Sequence, residues 1–189
     1  MAAADFYIAF ITAFSQGGEL VLEIFNSRRI ANMGVMAALY VVLTLMCAPL
    51  AYNDVQFRLS EMLILLCYFN KDHVISMTLG CFIANLFSPM GFIDAGFGTA
   101  ATLIAALLIY ITRDKVNLLV ASLFPVVTNG LIVAAELKIV NGFPYWPSAL
   151  SVAAGEFVCV SVLGVMIFML IRRNRKVMKL ITSGNSSER

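Results

Sequence analysis

Charge is scarce in this sequence, and so are the residues that carry most catalytic chemistry. Only 13% of the 189 residues are charged, and there is one histidine, His73. No nucleophile–base pair suggests itself, so an enzyme is disfavoured. No glycine-rich loop of the phosphate-cradling type occurs either, and any ATP-driven work falls to another protein. The four cysteines, Cys47, Cys67, Cys81 and Cys159, are far apart, lie in apolar runs and make no CxxC pair. That argues against zinc or a disulfide framework, and leaves packing as their role with no metal expected. The net charge of +2 is too small to suggest nucleic acid. A basic n-region and a signal cleavage site are lacking, so the apolar stretch Phe6 to Phe14 is expected to stay in the mature chain.

What is abundant is apolar surface. Hydrophobic residues make up 61% of the chain and the mean hydropathy is +0.90, more than a water-soluble fold of this size could hide. The expected fold is an all-α integral membrane protein, a bundle of six transmembrane helices. Residues 5–25 mix aromatics with Asp5, Glu19, Glu23 and a Gly17-Gly18 break, and read as interfacial. Ile30 to Leu50 is the first span, long enough for a bilayer core of about 30 Å. Leu59 to Phe69 and Val74 to Phe87 are shorter, and fit either short helices or a re-entrant hairpin. Ala95 to Ile111, Val116 to Leu137 and Pro147 to Ile171 complete the six. The chain thus divides into an N-terminal segment 1–29, a membrane domain 30–172 and a basic tail 173–189, disordered after Lys179.

Orientation follows from the basic residues. Alternating the six segments from a cytoplasmic N-terminus leaves only Arg58 and Lys138, of 13 Lys and Arg, on the outside. So one-sided a distribution places both termini in the cytoplasm. A hairpin would instead hold Lys71 at membrane depth, at a cost of roughly 3 kcal/mol unless protein surrounds it.

With that orientation, four carboxylates gather toward the outer face: Glu61, Asp94, Glu136 and, about 14 Å inside the last segment by helical rise, Glu156. Carboxylates are expensive in lipid and normally face a polar cavity, so an outward-opening binding site is expected, with Glu156 its strongest single candidate. Pairing with Arg58 or Lys138 at the interface is the alternative for any one of them. Gln56, Asn85, Thr99, Thr102 and Asn129 could hydrogen-bond a planar polar ligand, and Tyr145 and Trp146 could stack on it. Trp146 fits an interfacial belt equally well. Glycines 91, 96 and 98 would let a loop approach a ligand, though glycine is as common where helices simply pack. His73 lies at the opposite end from these carboxylates and reads as structural.

Three blocks then carry a family resemblance: Gln56-Phe57-Arg58-Leu59-Ser60-Glu61, Gly80-Cys81-Phe82-Ile83-Ala84-Asn85-Leu86, and Asp94-Ala95-Gly96-Phe97-Gly98-Thr99-Ala100-Ala101-Thr102-Leu103. Together with Gly155-Glu156 they resemble the QueT family over Ile30 to Ile171. That family comprises S components, the substrate-binding subunits of energy-coupling factor (ECF) importers, assigned to queuosine precursors such as queuine, preQ1 or preQ0. The resemblance implies a six-helix S-component fold, adds Arg58 and Gly98 to the substrate site, and implies as partners a transmembrane coupling protein and two ATPases, with no cofactor on this chain. A guanine-like face offers an N–H and an exocyclic amine that one carboxylate accepts together, and the cationic amine of queuine or preQ1 would explain further acidic groups. Ala31, Gly34 and Ala38 resemble the small-residue strip by which S components dock on the coupling protein. A carrier for another vitamin or nucleobase, and more remotely an intramembrane enzyme acting on lipid, are the competing readings.

Overall fold

The computed structural model describes residues 27–51 and 57–182. The expected interfacial segment 5–25 and the site candidate Gln56 lie outside the described residues. The chain divides into two compact units, Met1–Asn32 and Met33–Arg189. Of the first, residues 27–32 are described and are helical. All regular structure among the described residues is helical.

Helix α1 (Ser27–Met46) runs into a single turn, Ala48–Ala51. Within the second unit it presses inward one narrow stripe, Ala37, Tyr40 and Thr44, while Val35, Val42 and Met46 stay exposed. The stripe can close up because Gly80 faces it. A Cβ on Gly80 would stand 2.9 Å from the Tyr40 Cβ and 3.0 Å from the Ala37 carbonyl. An apolar helix touching its neighbours along one line turns most of its surface to lipid or to another protein.

Helix α2 (Leu59–Tyr68) is wound as a ten-residue 3-10 helix. Its residues Leu63 to Cys67 are all buried, so it has no stripe whose period would favour 3.6 residues per turn over 3.0. The tighter winding also stretches it to about 20 Å, against about 15 Å as an α-helix. Helix α3 (Asp72–Asn85) follows after a tight turn. Both fall short of a bilayer core of about 30 Å. Among the described residues, four helices are long and apolar enough to cross a membrane: α1, α4 (Phe92–Thr112), α5 (Leu118–Asn141) and α6 (Tyr145–Ile171).

Helix α4 packs on α3 and α5, α5 on α6, and α2 lies against α4 and the middle of α6. That middle, Phe157–Gly164, is π-wound. The Ser122 hydroxyl donates to the Ser161 hydroxyl at 2.9 Å and ties the start of α5 to it. Most of the core, including Ile64, Leu65, Met77, Ile109 and Phe168, gathers around α2.

At the C-terminus, helix α7 (Arg175–Thr182) continues three residues past Lys179, where disorder was expected to begin, and buries Ile181; residues 183–189 lie outside the described residues. The reason is a small apolar face, Val177, Met178 and Ile181, that docks on the core. The Ile181 carbonyl also accepts the Asn70 side-chain amide at 3.2 Å and lies 3.0 Å from His73 Nε2. His73 is therefore buried and structural, as expected from its position. It fastens the tail helix to the α2–α3 turn.

Candidate functional site

Polar side chains from six helices meet inside the second unit. Helix α1 contributes Tyr40, the start of α2 contributes Arg58 and Glu61, and α3 contributes Cys81 and Asn85. Asp94 and Thr102 come from α4, with the bare backbone of Gly98 between them, Asn129 and Glu136 from α5, and Glu156 from α6. The spacing explains the convergence: Asp94, Gly98 and Thr102 recur every four residues and so share one face of α4. Cys81 and Asn85 do the same on α3.

Every one of these residues is buried. Glu61 and Glu136 have no exposed surface and Glu156 retains 1%. Buried carboxylates normally spend all their acceptor positions, because each unmet one forfeits the hydrogen bonds that water gave it. Here they do not. Glu61 Oε1 accepts the Tyr40 hydroxyl at 2.5 Å and the Thr102 hydroxyl at 3.2 Å, while its Oε2 has no hydrogen-bond partner. Glu156 Oε1 accepts the Asn129 amide at 2.9 Å, and its Oε2 has none. Neither oxygen of Glu136 has one, and the Thr99 hydroxyl is bare as well.

Asp94 behaves differently. It pairs with Arg58 at 3.2 Å, the interfacial alternative that the sequence left open, and both partners are buried. The Asn85 amide braces the pair by donating to the Asp94 carbonyl at 3.2 Å and to Cys81 Sγ at 3.4 Å. Gly98 is where the α4 backbone comes closest: a Cβ there would collide with the Asn85 amide and stand 3.4 Å from both Arg58 and Asp94. Electrostatic interactions link Glu61 with Glu156, and Glu136 with the Arg58–Asp94 pair.

Of the residues expected from sequence, Arg58, Glu61, Asn85, Asp94, Gly98, Thr102, Asn129, Glu136 and Glu156 are thus all buried: polar contacts join Arg58, Asp94, Asn85, Thr102 and Glu61 through Cys81, Asn129 bonds Glu156, and Glu136 interacts with the rest through charge alone. Thr99 is half-buried beside them on α4. The aromatic candidates sit elsewhere. Trp146 is 70% exposed, and Tyr145, edge-on to it, donates its hydroxyl to the Leu131 carbonyl at 3.3 Å. Beside them, a cavity of about 230 Å³ is lined by Leu137, Phe143, Pro144, Pro147, Ser148 and Ser151. Sequence reasoning missed two members of the network. Tyr40 is hidden in a span where an aromatic reads as packing. Cys81, expected only to pack, lies 3.2 Å from the Thr102 hydroxyl and accepts a hydrogen bond from the Asn85 amide. Each sits on the buried face that its helical neighbours define, and that is the one signal that could have found it.

Of the expected docking residues, Gly34 and Ala38 are exposed, and a Cβ on Gly34 would meet nothing within 4 Å. Ala31, in the first unit, is exposed too.

Residues 30–173 match the family described as the QueT transporter. The queuosine precursor transporter QueT of Lactococcus lactis subsp. cremoris (strain MG1363) is 32% identical over 142 residues, spanning 68% of this chain and 83% of that protein. No solved structure matches. With four helices of spanning length, this is a multi-pass protein of the bacterial cell membrane, and the chain belongs to the QueT transporter family.

Proposed function

We propose that this chain is the substrate-binding subunit of an ECF-type importer and that its cargo is a queuosine precursor: queuine, preQ1 or a preQ0-type deazaguanine. The observation that carries the reading is the set of buried carboxylate oxygens without partners on Glu61, Glu136 and Glu156. Leaving such groups unmet costs stability, of the order of 1–3 kcal/mol each. A ligand rich in N–H donors would recover that cost on binding. A deazaguanine is such a ligand, with its ring N–H, exocyclic amine and, in two of the three precursors, a cationic side-chain amine. The 32% identical relative is named for the same cargo.

In this reading α2 and α3 complete a bundle of six crossing segments with both termini in the cytoplasm. Ala31, Gly34 and Ala38 meet the transmembrane coupling protein, and two partner ATPases consume the ATP. The chain itself binds and carries no catalysis.

The test is salvage. A bacterium unable to make queuosine is given this chain with and without the coupling module and fed each precursor. Queuosine in its tRNA is then measured. Restoration that needs both the chain and the module is expected. No restoration by any precursor would refute the cargo, and restoration without the module would refute the coupling.

A further inference from the structure

The sequence shows that several carboxylates converge but not which ligand group each one meets. The hydrogen bonding separates them. Building on the functional reading above, we propose a division of labour: Glu136 takes the guanine-like edge of the cargo, and Glu61 and Glu156 together take its cationic amine.

The assignment rests on how many acceptor atoms each carboxylate has left. A guanine-like edge presents two donors side by side, the ring N–H and the exocyclic amine, and two parallel donors need both oxygens of one carboxylate. Glu136 alone among the three has both oxygens bare. Glu61 cannot serve in that way, since its Oε1 already accepts the Tyr40 and Thr102 hydroxyls. Glu156 is less suited than Glu136, since its Oε1 already accepts the Asn129 amide and keeps one acceptor position instead of two. Each of those two presents one wholly bare oxygen.

Two single oxygens on separate side chains suit a cationic amine, whose N–H donors, two on a secondary amine such as queuine's and three on a primary one such as preQ1's, point toward different acceptors. Charge points the same way. Glu61 and Glu156 interact electrostatically with each other as well as with Arg58, and a cation held by both would offset what repulsion between the two buried carboxylates Arg58 leaves. Asp94 is already paired with Arg58, so it is not the natural partner for a second cation. Tyr40, Thr102 and Asn129 are then positioning residues. By occupying one oxygen of each carboxylate, they fix which oxygen is offered.

The consequence is a preference for cargo that carries the amine. Isothermal titration of the purified chain in nanodiscs, with the aminomethyl deazaguanine and with the neutral nitrile, reads it directly. The parent protein should bind the amine at least about tenfold more tightly than the nitrile, the ratio expected for one or more charge-assisted hydrogen bonds. Glu61→Gln and Glu156→Gln should each weaken the amine by about 10- to 100-fold and leave the nitrile within about twofold. Glu136→Gln should weaken both compounds by a similar factor. Equal affinity of the parent for the two compounds would overturn the proposal, and that comparison needs no variant to fold. Equal losses for both compounds in Glu61→Gln would overturn it as well. If the parent bound neither compound, the functional reading underneath would fall instead.

Discussion

A methyl group placed at Gly98 should disrupt the polar network, while the same group two residues earlier should be harmless. Both glycines lie in α4, so both replacements by alanine gain the same backbone preference, up to about 1 kcal/mol in a helix interior. Gly96 is exposed, and its Cβ would meet nothing within 4 Å. Gly96→Ala is therefore neutral to mildly stabilising. At Gly98 the new Cβ would collide with the Asn85 amide and press on Arg58 and Asp94. Asn85 cannot retreat without loosening its bonds to the Asp94 carbonyl and Cys81 Sγ. Overpacking of this kind costs about 1–3 kcal/mol, and a lost hydrogen bond about 1 more. The helix gain is common to both variants and cancels between them, so Gly98→Ala should be about 3 kcal/mol less stable than Gly96→Ala, and about 2 kcal/mol less stable than the parent. The assay is unfolding by denaturing detergent, followed by circular dichroism, with the two variants side by side. A weakened Arg58–Asp94 pair should also appear as reduced deazaguanine affinity in Gly98→Ala alone. Equal stability and equal affinity of the two variants would refute the close approach of α4 to Asn85.

Three further outcomes can be checked. Gly34→Leu should bind ligand like the parent yet abolish uptake, because Gly34 faces open space rather than the interior; co-purification of the coupling subunits beside a ligand titration reads both, and loss of ligand binding would place Gly34 in internal packing. Cysteines introduced at Lys71 and Arg113 should be shielded from an impermeant thiol reagent in intact cells while one at Asn141 is labelled; labelling at Lys71 would overturn six crossing segments. Ile181→Ala should destabilise the protein by about 2 kcal/mol, since Ile181 is 4% exposed and anchors α7, and an unchanged detergent midpoint would mean the tail helix contributes nothing.

The parts of the site legible in sequence were those where polarity contradicts its surroundings. Glu61, Asn129 and Glu156 stand inside apolar runs, and each is drawn into the buried network for the reason that made it conspicuous: lipid is the costlier alternative. Asp94, Gly98 and Thr102 were legible as a block. Tyr40 was not, because nothing in its own segment distinguishes a hydroxyl that must find Glu61 from an interfacial aromatic. Trp146 and Tyr145 lie apart from the network, at a place the sequence could not give, as stacking potential is a property of the side chain while location is a property of the fold. Winding was illegible as well. Leu63 to Cys67 is apolar at every position, so it carries no period from which a 3-10 helix could be told from an α-helix. Ile181 lies near the end of a polar tail, and only the groove that receives it reveals its role.

The π-wound stretch of α6 governs how many residues that helix needs. Glu156 and Phe168 are twelve positions apart, about three and a third turns of α-helix, which would set them on different faces. Both are buried, Glu156 in the polar network and Phe168 stacked on Phe69 with ring centroids 5.9 Å apart. The wider winding of Phe157–Gly164 absorbs the surplus and brings the two nearly into line. Eleven positions would make about three even turns and need no such device. A relative one residue shorter between these points can therefore be plainly α-helical there and still present both side chains correctly. When sequences of unequal length are aligned, the gap belongs in the middle of this helix, where gaps are least expected.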